Sequence, residues 1–236
     1  MGFNQTIPFL FIGVVAAVIV GSLIYGRVYA RKRTEALQLV AAQLGFSFAG
    51  AEQDHHSAIP DLMMPLFNRG RGRKFSNSMT GSFAGQRISI FDYRFTTGSG
   101  KDSHTWNQTV AAFSQELWLP EFELRAENFL DRIADHFTHR DIDFDAFPEF
   151  SRRFLLRGPS ENGIRKLFAP ALIQFLQMLA QDVKWNIEGS SATLVIYSSD
   201  STIPSDLDSY RSFLEKTSEI AKAFFSTPEN LSQPVR

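Results

Sequence analysis

Residues 75–96 read FSNSMTGSFAGQRISIFDYRFT, and this stretch decides the fold class. Apolar side chains recur at every second position of its second half, which is the period of a β-strand with two faces. The two faces carry Ile88 and Ile90 on one side and Phe91, Tyr93 and Phe95 on the other. A turn at Ala84 and Gly85 separates two segments. The pattern therefore predicts strands over Phe75–Phe83 and Gln86–Thr96.

Further strands and helices follow this pair along the chain. The alternation of apolar residues and the positions of Gly, Pro and Ser predict them as follows: strands near Thr105–Ser114, Glu121–Arg125 and Phe154–Arg157, a helix over Asn128–Phe137, a helix from Ser160 to about Ala180 restarted at Pro170, a hairpin over 183–197 turning at Gly189, and a closing helix from Pro204 and Ser205. Strands and long helices are segregated, which favours an α+β domain with a largely antiparallel sheet and helices packed on one face.

The N-terminal part of the chain is apolar and uncharged. Residues 7–26 read IPFLFIGVVAAVIVGSLIYG, and all 24 Lys and Arg and all 25 Asp and Glu lie at or after position 27. Twenty helical residues span about 30 Å, the hydrocarbon thickness of a bilayer. We expect one transmembrane helix. A cleaved signal sequence and a buried core helix are the alternatives.

A cluster of cations follows this apolar segment and sets its expected orientation. Its members are Arg27, Arg31, Lys32 and Arg33. Because basic residues concentrate on the cytoplasmic side of membrane helices, the N-terminus is expected outside and the C-terminal domain in the cytoplasm. The next residues, Thr34–Leu44, have one apolar helical face, which either covers the domain or lies on the bilayer. We favour the domain.

The predicted organisation of the chain has six parts. They are a short tail at 1–6, a transmembrane helix at 7–26, a basic juxtamembrane segment with an amphipathic helix at 27–48, a loop with a basic run at 49–74, the α+β domain at 75–226 and a C-terminal tail at 227–236.

The basic run RGRGRK is the first candidate binding site. Its cations are Arg69, Arg71, Arg73 and Lys74. Near a cytoplasmic leaflet, each cation contributes about 1 kcal/mol of attraction to anionic lipid, so contact with anionic lipid or another anionic ligand is predicted. A solvated loop and an RNA contact are the alternatives. A formal net charge of −1 gives the chain no overall field for nucleic acid, which makes that partner unfavourable.

The segment HFTHRDIDFD is the second candidate site. His136, His139, Asp141 and Asp143 supply imidazole and carboxylate ligands that can together hold a divalent ion. An EF-hand is excluded, because Ala146 stands where such a loop needs glycine. The alternative is that the carboxylates simply face water. With no cysteine in the chain, disulfides, thiolate zinc sites and cysteine nucleophiles are excluded, and no cofactor is predicted.

Four stretches carry a resemblance to a known group of proteins. They are LFNRGRGRKFSNSMTGSFAGQRISIFDYRFTTGSGKDSHTWNQTV at 66–110, LPEFELRAENF at 119–129, DIDFDAFPEFSRRFLLRG at 141–158 and WNIEG at 185–189. The sequence resembles a family of uncharacterised bacterial proteins with one N-terminal membrane helix and a C-terminal domain of unknown function. The resemblance implies a bacterial inner-membrane protein, and it implies no activity or catalytic residue.

These observations predict a membrane-anchored protein that acts by binding or scaffolding at the cytoplasmic face of the membrane. Its partners would be the bilayer itself and a protein at the membrane surface. The anchor and the basic run favour this function, and no complete set of catalytic residues is recognisable in the sequence. The alternative is a metal-assisted hydrolase that uses His136, His139 and Asp141.

Overall fold

The computed structural model describes residues 6–50, 64–126, 141–179, 185–198 and 201–226. They form an α+β structure with an antiparallel sheet and helices, as the sequence predicts.

A single long helix begins the described chain. Helix α1 extends over Thr6–Leu44, 39 residues, and joins the predicted membrane segment to the predicted juxtamembrane helix. The two merge because the basic linker between them contains no glycine or proline. Gly45 ends α1 with φ +72, the left-handed conformation common after helices. In the part of the chain that the structure describes, one helix, Val14–Leu44 within α1, is long and apolar enough to cross a membrane.

The described residues form a sheet of six strands, and every pairing among them is antiparallel. They are β1 (Ser47–Ala49), β2 (Arg71–Phe83), β3 (Gln86–Thr97), β4 (His104–Ala126), β5 (Phe154–Arg157) and β6 (Trp185–Ser198). Their order is β1-β2-β3-β4-β5, and β6 pairs with the other edge of β4. A 3₁₀ turn at Gly100–Asp102 connects β3 to β4.

Five further helices complete the described elements. They are α2 (Pro65–Asn68), α3 (Pro148–Arg153), α4 (Glu161–Leu167), α5 (Pro170–Leu179) and α6 (Leu207–Phe225). Ser160 caps α4 as predicted, since its Oγ accepts a hydrogen bond from the Gly163 N–H. Helix α6 is capped by Asp206, whose Oδ1 accepts from the Ser209 N–H at 2.8 Å, one residue later than the predicted Ser205.

Two predicted strand divisions are wrong. The strands expected at 105–114 and 121–125 are one strand, β4, and the hairpin expected at 183–197 is the continuous strand β6, which pairs with β4 along its length. Gly189 does not turn the chain. It allows close packing instead, because a Cβ there would lie 2.3 Å from Cε1 of the Phe122 ring.

Within the segment predicted as a loop at 49–74, Pro65–Asn68 forms one short helical turn, and Arg71–Lys74 belongs to β2, so this strand begins four residues earlier than predicted. Gly70 and Gly72 have φ of +58 and +62, which glycine adopts without strain. These two residues allow the irregular backbone at the start of β2 while the strand stays paired in the sheet. The predicted helix at 128–137 lies outside the described residues.

The sheet has a buried core on each face. The first core contains Ile88 and Ile90 and is covered by α1 and α4 to α6, and the second contains Phe91, Tyr93 and Phe95 beneath Met64–Phe67. The alternating apolar residues of β3 therefore lie on the two faces of the sheet, as the sequence predicts. In α1, Leu37, Val40 and Ala41 are buried in the first core, which confirms that this apolar face covers the domain.

Candidate functional site

A bidentate ion pair attaches α1 to the sheet. Nε of Arg33 donates to Oδ2 of Asp92 and Nη2 donates to Oδ1, both at 2.8 Å. Nη1 of Arg33 donates to the Ile203 carbonyl oxygen, also at 2.8 Å, in the segment before α6. The two charged side chains are only 12% and 11% exposed. Two parallel hydrogen bonds of this kind fix the relative orientation of the two side chains as well as contributing energy. The pair therefore fixes the direction in which α1 extends from the domain.

Neighbouring side chains hold Asp92 in place. Asn77 Nδ2 donates to Asp92 Oδ2 at 2.8 Å, and Thr109 Oγ1 donates to Asp92 Oδ1 at 3.1 Å. Thr34 Oγ1 donates to Asn77 Oδ1 at 2.7 Å, which gives α1 a second polar contact with the sheet. Burial lowers the pKa of Arg33, but the hydrogen bonds and the charge of Asp92 outweigh it and raise that pKa. Arg33 therefore stays charged.

This attachment changes the role of one predicted orientation residue. Arg33 is engaged inside the domain, whereas Arg27, Arg31 and Lys32 are exposed on α1. Arg31 pairs with Glu35 at 2.8 Å, one helical turn later. Three exposed cations thus follow the apolar segment on its C-terminal side.

A groove lies beside the Arg33–Asp92 pair, between α1 and the sheet. Its volume is about 660 Å³, within the usual range for ligand sites. Its lining consists of Tyr29, Ala30, Arg33 and Thr34 from α1 and Lys74, Phe75, Ser76, Asn77, Asp92, Tyr93, Arg94, Asn107 and Thr202 from the domain. One wall of the groove is therefore formed by α1, and the other is formed by the domain, including the polar beginning of β2.

Three of the lining residues form a row across the sheet. Lys74 is the register partner of Arg94, and Arg94 is the register partner of Asn107. Register partners on antiparallel strands point to the same face, with Cβ atoms about 5 Å apart. The row therefore places two cations and an amide side by side, and all three residues are exposed.

The contacts of α1 show which end of the sheet this row occupies. Thr34 contacts Asn77, and Phe46, just after α1, packs against Gly81. Helix α1 therefore runs alongside β2 in the same direction, and the apolar segment leaves toward the beginning of β2. We call this end of the domain the basic edge, defined by Arg71, Arg73, Lys74 and Arg94.

The basic run RGRGRK divides into two parts. Arg71, Arg73 and Lys74 are exposed on β2. Arg71 Nη1 donates to the Gly98 carbonyl oxygen and Arg73 Nη1 to that of Phe67, each at 2.5 Å. Arg69 was predicted to contact an anionic ligand together with these three cations, but it is only 4% exposed and its guanidinium pairs with carboxylates of the domain, so the structure separates it from them.

Arg69 belongs to a buried charge cluster on the second face of the sheet. It forms ion pairs with Glu123 and with Glu188, the latter at 3.0 Å, and donates to Tyr197 Oη at 3.2 Å. Arg125 Nε also donates to Glu123. Burial lowers the pKa of Arg69, but Tyr197 and the two carboxylates outweigh it and raise that pKa. The cluster pairs its charges away from solvent.

The cluster also anchors the segment around α2. Glu188 Oε2 accepts from the Leu66 N–H at 2.8 Å, and Tyr197 Oη donates to Glu188 Oε1 at 2.7 Å. Apart from Arg69, the residues of this cluster are not among the predicted site residues. A signal was present, since Glu123 and Arg125 alternate with the apolar residues Phe122 and Leu124 within one strand. Two charges facing inward from a strand need partners there.

The predicted metal site lies partly outside the description. His136 and His139 are not among the described residues. Asp141 Oδ1 accepts from Arg157 Nε at 2.6 Å, and Arg165 Nη1 donates to the backbone carbonyl oxygen of Asp143 at 2.9 Å. Across the described ranges, no group of three or more His, Cys, Asp and Glu residues is placed to hold a metal ion. The hydrolase alternative stays a prediction.

Comparison with known proteins adds a structural likeness. No family model and no curated protein matches the sequence. The crystal structure of the mycobacterial trehalose monomycolate transport factor A, TtfA, is similar in fold, with a TM-score of 0.56 and 11% sequence identity. The alignment covers 87% of this chain and 99% of that one. At this identity the likeness shows a shared fold.

Proposed function

We propose that this protein is a single-pass membrane protein whose α+β domain acts as a binding or scaffolding module at the cytoplasmic face of the membrane. The observation that carries this proposal is the continuity of α1. One helix of 39 residues contains the apolar segment and also buries Leu37, Val40 and Ala41 in the domain core. A flexible linker would let the domain drift from the bilayer, whereas this helix holds it at one distance and orientation.

The Arg33–Asp92 pair supports the same function. A bidentate, largely buried ion pair immediately follows the exposed cations of α1. It resists rotation of the helix against the sheet, because both carboxylate oxygens and the Ile203 carbonyl would have to be released together. A fixed domain presents the same surface to every partner in the membrane plane, which is what a scaffold requires.

The similar fold of TtfA suggests the class of process. That protein is a transport factor by name. We infer that this chain serves as an accessory protein in transport at the membrane, contributing binding. Membership in the family of uncharacterised bacterial single-pass proteins, and with it an inner-membrane location, is part of this proposal.

Complex formation in native membranes tests the scaffold function. The full chain is expected to migrate in a discrete complex, larger than the purified protein, after gentle solubilisation. A variant that replaces residues 1–26 with an unrelated transmembrane segment should retain the complex, and a soluble fragment beginning at Arg27 should lose it. Migration of the full chain as the isolated protein alone would contradict the proposal.

Orientation is tested separately with a single cysteine. The chain contains no cysteine, so Ser99→Cys in the exposed β3–β4 connection provides one label site. A membrane-impermeant thiol reagent should leave it unlabelled in intact cells and label it once the inner membrane is opened. Labelling in intact cells would place the domain on the outer side and refute the cytoplasmic assignment.

A further inference from the structure

We propose that the groove between α1 and the sheet binds the polyhydroxylated headgroup of a membrane lipid, a headgroup built from one or two sugar rings. Its binding groups are the neutral polar side chains of Tyr29 on α1, Ser76 on β2, Asn107 on β4 and Thr202 before α6. This inference rests on the membrane anchoring proposed above, and it adds a small ligand to a domain for which only macromolecular binding was inferred.

The floor of the groove crosses β2, β3 and β4 on the face of the sheet that α1 covers. Ser76 is the register partner of Asp92, and Asn107 is the register partner of Arg94. Register partners point to the same face, so these residues form two neighbouring rows on the floor. Thr202 lines the groove from the segment before α6. A hydroxyl on β2, an amide on β4 and a second hydroxyl thus border one space.

The charged pair on this floor is already satisfied. Both carboxylate oxygens of Asp92 accept hydrogen bonds from Arg33, and Nη1 of Arg33 donates to a backbone carbonyl oxygen. By contrast, the side chains of Ser76, Asn107 and Thr202 form no hydrogen bond with any described residue. The groups that remain for a ligand in this part of the groove are therefore neutral hydroxyls and an amide.

The chemistry of these groups favours alcohols as ligands. A hydroxyl side chain has one donor and two acceptor sites, and an amide side chain has two donor hydrogens and an acceptor oxygen. A ligand that uses both kinds of site must itself donate and accept, as the hydroxyls of a sugar do, whereas an ammonium only donates and a phosphate diester only accepts. Tyr29 adds a third hydroxyl, and its ring presents an apolar face to the C–H groups of a sugar.

The volume of the groove fits a headgroup of this kind. About 660 Å³ corresponds to roughly 22 water-sized groups at ~30 Å³ each. Two sugar rings joined by a glycosidic oxygen contain a similar number of carbon and oxygen atoms. A single small alcohol would leave most of this space to water, so the groove is matched to a headgroup of one or two rings.

The position of the groove along α1 favours a lipid as the source of the sugar. Tyr29 lies three residues beyond Gly26, the end of the apolar segment, which is roughly 4.5 Å at about 1.5 Å per residue. The headgroup region extends about 5–7 Å from the hydrocarbon on each side. The Tyr29 side chain is 63% exposed, as expected for an aromatic residue at the membrane interface. The acyl chains of a bound lipid would then lie along the apolar part of α1.

Native mass spectrometry of the full chain tests the site in a detergent without sugar, tetraethylene glycol monooctyl ether. Three probes with identical acyl chains are added in parallel: diglucosyl diacylglycerol, diacylglycerol and phosphatidylglycerol. The wild type should hold one diglucosyl diacylglycerol in preference to both other lipids. Equal binding of diacylglycerol would overturn recognition of the headgroup, and tighter binding of phosphatidylglycerol would show that charge, not hydroxyl groups, selects the ligand.

A variant with a matched control locates the binding. Ser76→Ala/Asn107→Ala should bind diglucosyl diacylglycerol about tenfold more weakly, since it loses one hydroxyl and one amide contact. Ser82→Ala/Asn162→Ala removes the same two kinds of group from exposed positions near the end of β2 and in α4. This control should bind like the wild type. Equal binding by the groove variant and the wild type would overturn the proposal.

A second variant keeps the test decisive if the first does not fold. Ala30 lines the groove from α1, and leucine is also a good helix former. Ala30→Leu therefore places a larger side chain in the groove without removing any hydrogen-bonding group. It should also weaken binding of the glycolipid, and unchanged binding would contradict the proposed location.

Two further measurements separate the source of the sugar from the anchoring. The methyl glycoside of the same disaccharide, at the same concentration, should give no comparable adduct, and equally tight binding of this soluble ligand would overturn the lipid assignment. Alkaline carbonate extraction of cell membranes tests anchoring alone. Extraction of the full chain would refute the anchor while leaving the headgroup preference to be judged by the mass spectra. Failure of the groove and failure of the anchor are thus distinguishable.

Discussion

Replacing Arg33 with methionine removes the guanidinium fork that attaches α1 to the sheet, while much of the apolar stem is kept. The substitution deletes two hydrogen bonds to Asp92 and one to the Ile203 carbonyl. Removal of one partner from a buried ion pair costs about 3–5 kcal/mol, because the other charge is left buried. Asp92 keeps its hydrogen bonds from Asn77 and Thr109, so we expect the lower end, about 3 kcal/mol.

The measurement is thermal unfolding of the full chain in nanodiscs, followed by near-ultraviolet circular dichroism. For a domain of this size, about 3 kcal/mol lowers Tm by roughly 6–12 °C. The matched control is Arg31→Met, since the Arg31 side chain is 83% exposed and pairs with Glu35 on the same helix. Exposed pairs of this kind contribute about 0.3–0.5 kcal/mol, so the control should barely change Tm.

A double-mutant cycle identifies the cause of the loss. Arg33→Met and Asp92→Asn are measured singly and together, and the double variant should lose less stability than the sum of the single variants. The reasoning would be refuted if Arg33→Met cost no more than Arg31→Met, or if the two losses were additive.

Three further predictions concern the domain itself. Arg69→Met should cost about 3–5 kcal/mol in urea unfolding, because Glu123 and Glu188 lose a shared buried cation; an unchanged midpoint would contradict the role of the cluster. Gly189→Ala should cost about 1–3 kcal/mol in thermal unfolding, because its Cβ would meet the buried Phe122 ring, and a wild-type Tm would show that the ring yields freely. The hydrogen bonds from Ser209 lower the pKa of Asp206 from 3.8, so its cap should stabilise α6 above that value and be lost as the pH falls through the lowered pKa. The wild type should therefore lose stability in acid more steeply than Asp206→Asn, and parallel pH profiles would argue against this cap.

Much of the fold follows from local sequence patterns. The alternation in β3, the cap at Ser160 and the apolar face of α1 all have the predicted structural meaning, because period and capping are properties of neighbouring residues. That β4 and β6 are each one uninterrupted strand could not be predicted in the same way. Gly189 reads as a turn residue in isolation, and only its packing against Phe122 shows that it lies inside a strand.

The candidate site was less predictable, since its residues come together only through the sheet. Lys74 was identified from the basic run, but Arg94 and Asn107 had no distinguishing local signal, and strand register alone places them in one row. The sequence places Arg33 in the orientation cluster and Arg69 in the basic run, both as cations available to the membrane or a ligand. Their partners, Asp92 for the first and Glu123 and Glu188 for the second, lie far away in sequence, so burial of either cation was not visible locally.

The most direct test of the central claim measures how close each end of the domain lies to the bilayer. Nitroxide labels at Ser99→Cys, beside the basic edge, and at Arg87→Cys, at the other end of β3, are compared in nanodiscs for collision with a relaxation agent bound to lipid headgroups. The two sites are separated by most of the length of β3, about 30 Å. The account predicts strong relaxation at position 99 and little at position 87. Equal relaxation at both positions would contradict it, because a domain fixed by α1 with its basic edge toward the membrane cannot present both ends alike.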